Sequence, residues 1–236
     1  MSLRQFKPIL IVLVGSLLVW QMALIEALIV ARFWLDPMPE FRDFMSQSIY
    51  EGEAFGGSDI GVSLAIISFL YWLWLVRSGK HSSFLAPQQL KFIWISGLST
   101  ALIAVHSLKW VVSRARPKII LRPDLDLETL ASMTWPGFMP WNGPRGLSWN
   151  SFPSGHTASC AIMLAFVYVA WPRSRLVGAF VFLAVAAYCG LMATARSMAG
   201  MHWLSDSIAS FFLAWMVIHV LADRMNIISN SAKNNP

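Results

Sequence analysis

The sequence predicts an all-α membrane protein, with six transmembrane helices in one bundle and a long loop between the third and fourth. Three observations predict it. Hydrophobic residues make up 56% of the 236 and charged residues only 13%, about half the roughly 25% of soluble domains. Apolar runs long enough to approach the thickness of a bilayer recur along the chain. Between them, charge, proline and glycine concentrate in separate stretches. One membrane domain over residues 1–236 accommodates all of this. The net charge of +6 does not point to nucleic acid, because the basic residues sit at span ends and in loops and form no run.

The elements follow in order. A first span covers about residues 8–30. Arg4 and Lys7 before it resemble a signal-peptide start, but the run exceeds the core of a typical signal and lacks a small-residue cleavage site, so the span is kept. Glu26 within it is costly in lipid, so it faces the bundle or lies near the interface. The loop from Arg32 to Asp59 carries six acids, and Phe41, Phe44 and Ile49 suit a surface helix. Further spans cover about 60–76, 92–112, 157–171, 176–194 and 202–221. The loop from about Ser113 to Phe152 is charged early and rich in Trp, Pro and Gly late, with Trp135, Trp141 and Trp149. Such a segment suits the membrane interface, either as a lip over a site or as plain anchoring. Cys160 and Cys189 fall inside apolar runs and read as small core residues. The tail from Ala222 reads as polar and frayed.

Six spans place both termini on one side. The segments on that side hold nine basic residues and one acid, Asp223, and the opposite segments hold nine basic residues and ten acids. The short basic loops mark the first side as cytoplasmic. The opposite face then points outward, into a periplasm if the cell has one, and the cell would be bacterial with the chain in its inner membrane.

That outward face collects three stretches with chemistry in them. The first runs from Lys109 to Arg116-Pro117. Lys109 and Arg116 are two helical turns apart and share a face if the helix continues, while Pro117 marks its end. The second is Pro153-Ser154-Gly155-His156, a helix start in which Ser154 caps and Gly155 lets a ligand approach the backbone. The free N–H groups there favour an anion. The third holds Arg196, His202 and Asp206. His202 and Asp206, at i and i+4, stack on one helical face. Singly, each has a plain reading: snorkelling cations, an interfacial histidine, a structural pair or two metal ligands. Together, three cations disfavour a metal and suit a phosphate.

The chemistry that fits is phosphoryl transfer by positioning and charge stabilisation. Lys109, Arg116 and Arg196 supply charge, and Ser154 with the N–H groups around Gly155 supplies directed donors. His202 reads as the nucleophile, oriented by Asp206. His156 reads as the acid that protonates the leaving oxygen and the base that then activates water. No metal or other cofactor is required.

At these residues the chain resembles the type 2 phosphatidic acid phosphatase superfamily, integral-membrane lipid phosphatases related in site to glucose-6-phosphatase and vanadium haloperoxidases. The motifs are Lys-x6-Arg-Pro at Lys109 to Pro117, Pro-Ser-Gly-His at Pro153 to His156, and Arg-x5-His-x3-Asp at Arg196, His202 and Asp206. Ala195 departs from the serine usual before that arginine, which removes one possible phosphate hydrogen bond. The resemblance implies a six-helix bundle that dephosphorylates a lipid through a phosphohistidine. In it His202 would be nucleophile, Asp206 its partner and His156 the acid/base, with Lys109, Arg116, Ser154, Gly155 and Arg196 binding phosphate.

The substrate is not written in these motifs. Lipid A 1-phosphate, undecaprenyl diphosphate, phosphatidylglycerophosphate and phosphatidic acid all fit them. Arg114, Lys118, Arg122 and Arg145 either help hold a second phosphate or offset the acids of the first loop. A phosphotransferase would pass the same phosphohistidine to a lipid acceptor. A transporter would need charges near the midplane, and spans two and five carry none. His106 and His219 read as structural, with a supporting role open to His106 beside Lys109.

Overall fold

The computed structural model describes residues 8–35, 38–51, 57–80, 85–133, 138–140 and 149–227. The chain is predominantly helical. Helix α1 runs Pro8–Leu35, longer than the first predicted span, and short α2 (Pro39–Phe44) leads into a π-helical turn, Met45–Glu51. Here the expected surface helix exists, but Met45 and Ile49 are buried in the main core rather than lying on the surface. Helix α3 covers Ile60–Ser78 and ends on Gly79, whose φ of 66° is the left-handed conformation of a helix stop.

The third predicted span is a continuous helical path in three parts. These are α4 (Pro87–Leu98), a π segment (Ser99–His106) and α5 (Ser107–Val111). The chain then turns extended at Val112, φ −111° and ψ 121°. The strand β1 (Val112–Arg114) pairs antiparallel with β2 (Phe138–Pro140), so the expectation of an all-α chain needs this one addition. Two short helices, α6 (Pro117–Ile120) and α7 (Leu127–Ser132), follow β1. Of the Trp-rich segment, Trp135 and Trp141 lie outside the described residues, and so does Arg145.

The fourth predicted span is α8 (Gly155–Ala161) and α9 (Leu164–Ala170), separated by a turn at Ile162 and Met163. Helix α10 (Arg175–Met198) is capped by Ser174, whose Oγ accepts the Val177 N–H. Helix α11 covers Leu204–Arg224. Among the described residues, four helices are long and apolar enough to cross a membrane: α1, α3, α10 and α11. The chain is therefore a membrane protein. The large apolar side chains that remain exposed, such as Leu13, Leu17, Ile67, Phe180 and Leu183, lie on these helices, as lipid contact requires.

The main core lies between α4, α9, α10 and α11, and contains Phe92, Ile93, Leu164, Tyr168, Met192, Ala214 and Ile218. Cys160 and Cys189 are buried in it as free thiols, as expected. His219 is also buried, with Nδ1 2.9 Å from the Tyr168 hydroxyl, which accepts from Trp215 Nε1. A second cluster joins Ala27, Val30 and Ala31 of α1 to Leu121 and Trp203. It clamps the start of α11 between the first helix and the segment after β1.

Candidate active site

The three stretches singled out in the sequence converge at one end of the bundle. Ser154 is the N-cap of α8, and its Oγ accepts the Thr157 N–H at 3.4 Å. That hydroxyl is buried and also lies 3.1 Å from the Thr157 hydroxyl. The cap expected from the sequence is present, and it occupies the buried Ser154 side chain. Gly155 and His156 follow at the mouth of a cavity of about 440 Å³, whose wall also includes Lys109, Asn150, His106 and Asp59. Ser154, Arg116, Arg196, His202 and Asp206 are not among the residues that line it.

Lys109 sits on α5 and donates to the Asn150 carbonyl at 3.3 Å. The sequence suggested that Lys109 and Arg116 share a helical face. The helix instead stops at Val111, because the β-branched pair Val111-Val112 gives way to the strand β1. Arg116 lies beyond that strand with φ −70° and ψ 150°, the extended geometry a following proline imposes. Its guanidinium reaches Met201 Sδ at 2.9 Å. Burial draws Arg116 below the ordinary arginine range, and it remains cationic at neutral pH.

Arg196 occupies the last turn of α10, which runs four residues further than the predicted fifth span. A cation there is favoured by the helix dipole. Its guanidinium lies over the Tyr50 ring, 4.1 Å from the centroid, and Tyr50 meets the His156 ring edge-on at 5.3 Å. Tyr50 was not singled out in the sequence, where it is one aromatic in an acidic loop. The turn after α10 needs Gly200, with φ 64°, where a Cβ would press on Lys118 and Trp34.

His202 lies in the link before α11 and not on its face, because the helix starts at Leu204. The expected i, i+4 stacking is therefore replaced by another geometry. His202 Nδ1 is 2.7 Å from the Ser151 carbonyl and 3.8 Å from Asp206 Oδ2. Since a carbonyl only accepts, Nδ1 carries the proton and Nε2 keeps its lone pair. Asp206 is fully buried at the third position of α11. Its Oδ2 accepts from Ser151 Oγ at 2.5 Å and from the Trp203 N–H at 3.0 Å. Its Oδ1 accepts from Arg114 at 2.5 Å. The His156 and His202 rings meet edge-to-face, with centroids 6.0 Å apart and an interplanar angle of 61°.

One sequence reading is corrected here. Arg114 is fully buried and donates to Asp206, Ser205 and Glu26, so it does not hold a second phosphate. Lys118 and Arg122 are exposed. Glu26 faces the bundle, one of the two places expected for it, and is paired there with Arg114. Among the described residues, the buried polar atoms without a hydrogen-bond partner include Arg116 Nε, Arg196 Nε and His156 Nδ1. Such orphans are costly unless a ligand or water satisfies them.

Cations and two neighbouring histidines thus meet at one end of a helical membrane protein. The sequence profile of the PAP2 superfamily matches residues 90–227, and the chain belongs to that superfamily. Members of this superfamily are generally phosphatases. No curated protein and no solved structure matches the chain.

Proposed function

We propose that the protein is a lipid phosphatase that works through a phosphohistidine on His202. The observation that carries this reading is the pair of neighbouring rings, His156 and His202, edge-to-face at 6.0 Å, near Lys109, Arg116 and Arg196. His202 Nε2 attacks phosphorus, and the bond from phosphorus to the ester oxygen breaks. His156 gives its proton to that oxygen. In the second step His156 takes a proton from water, the water oxygen bonds to phosphorus, and the bond to Nε2 breaks. Lys109, Arg116 and Arg196 balance charge on the phosphoryl oxygens, and Lys109 and Gly155 line the adjoining cavity. No step calls for a metal.

The substrate is a phosphorylated membrane lipid: lipid A 1-phosphate, undecaprenyl diphosphate or phosphatidylglycerophosphate. Helices α3, α10 and α11, long and apolar enough to cross a membrane, pack on α8, which lines the cavity, and this supports a substrate that stays in the bilayer. The same reading has one domain of six spans, in a bacterial inner membrane, with the site facing the periplasm.

The test is phosphate release by the purified protein in detergent, with EDTA present, from each of the three lipids. Release from one of them, unaffected by EDTA and lost in His202→Ala, is the expected result. A requirement for added magnesium would overturn the metal-free mechanism.

A further inference from the structure

We propose that Glu26 and Arg114 are positioning residues for His202, acting through Asp206 and Ser151. The first helix would then serve the chemistry although it lies outside the stretch matched by the superfamily profile. The inference rests on the reading of His202 as nucleophile.

Three charged groups are fully buried together: Glu26, Arg114 and Asp206. One guanidinium nitrogen of Arg114 donates to Asp206 Oδ1 at 2.5 Å and to Ser205 Oγ at 2.7 Å, and the other donates to Glu26 Oε1 at 2.5 Å. The second oxygen of Glu26 accepts the Ser205 N–H at 2.9 Å. The Arg114 carbonyl accepts the Ser151 N–H at 3.1 Å. Ser151 in turn donates its hydroxyl to Asp206 and offers its carbonyl to His202 Nδ1. Arg114 therefore fixes both groups that face the protonated nitrogen of His202.

One cation stands between two carboxylates, so the cluster carries an excess negative charge in a place where uncompensated charge is expensive. A simple tie between α1 and α11 needs no such excess, since apolar contacts and Gly15 against Phe212 already join them. The excess has a use. When Nε2 takes a phosphoryl group while Nδ1 keeps its proton, the imidazole becomes positive. The other groups facing it are His156 from α8, Lys109 from α5 and Arg196 from α10, with Arg116 reaching the neighbouring Met201. All of them are cationic or neutral. Asp206 alone, already shared with Arg114, is a weak counter-charge, and Glu26 relieves it of part of that load.

The experiment follows the His202 ring by NMR in full-length protein with 15N-labelled histidine, its signal assigned by loss in His202→Gln. Glu26→Gln keeps the shape and removes one negative charge. It is expected to move the midpoint of His202 titration down by about one pH unit, and Glu26→Asp is expected to restore it. In phosphate release, kcat of Glu26→Gln is expected to fall about tenfold with KM nearly unchanged. Should Glu26→Gln fail to fold, the double variant Glu26→Gln/Arg114→Met removes the pair as a unit. It frees the Asp206 charge, and the midpoint is expected to rise. A midpoint that stays at the wild-type value in the folded variants overturns the proposal. The titration needs no turnover, so a wild-type protein that releases no phosphate would count against the phosphatase reading and leave this test standing.

Discussion

The two histidines have separable jobs, and that separation can be measured. With p-nitrophenyl phosphate the leaving group needs no protonation, so the first step proceeds without His156. His156→Gln is then expected to accumulate an acid-labile phosphoenzyme, visible by phosphate labelling, while its turnover falls by roughly 10²–10⁴-fold. His202→Ala is expected to show neither phosphoenzyme nor turnover. Ser151→Ala removes the hydroxyl that donates to Asp206 but keeps the carbonyl that faces His202. It is expected to lower kcat about tenfold, through a looser Asp206, with KM little changed in a steady-state assay. At this scale the sequence named Lys109, Arg116, His156, Arg196, His202 and Asp206, and the fold places them at one end of the bundle. It did not name Ser151, Arg114 or Tyr50 for the parts they play, because each acts through a contact with a residue distant in the chain.

At the scale of elements, the predicted spans and the helices agree where the apolar run alone decides, as for α3 and α11. They part where a tertiary contact overrides the run. Helix α5 stops short of Arg116 because Val112–Arg114 pairs with β2, and nothing near Arg116 announces that partner. The helix from Gly155 is interrupted at Ile162 and Met163, in a stretch whose composition is uniformly apolar. Packing between α3 and α8 depends on the absence of a side chain at Gly61, where a Cβ would lie 1.9 Å from the Ser159 carbonyl oxygen. Gly61→Ala is therefore expected to push α3 from α8 and to destabilise the protein by about 1–3 kcal/mol. Thermal unfolding in detergent reads this as a lower midpoint. Because Asp59 and Ser159 both border the cavity, activity is expected to fall as well.

For the whole molecule, the consequence of the fold is a site at one end of a membrane-embedded bundle. If that end faces outward, Asp126→Cys, on the exposed segment before α7, is expected to react with a membrane-impermeant maleimide added to intact spheroplasts. Labelling only after the membrane is opened would reverse the orientation. The two native cysteines are buried, so they give little background. Read along the chain alone, the residues already specify the membrane class, the helical runs and the chemical types gathered for the site. These follow from local composition and from motif spacing, which a linear chain displays directly. The folded arrangement was needed to show which group orients His202, where the Ser154 hydroxyl lies and what Glu26 pairs with inside the first helix. Each of those depends on residues from separate elements meeting in a buried space, where every donor and charge must find a partner.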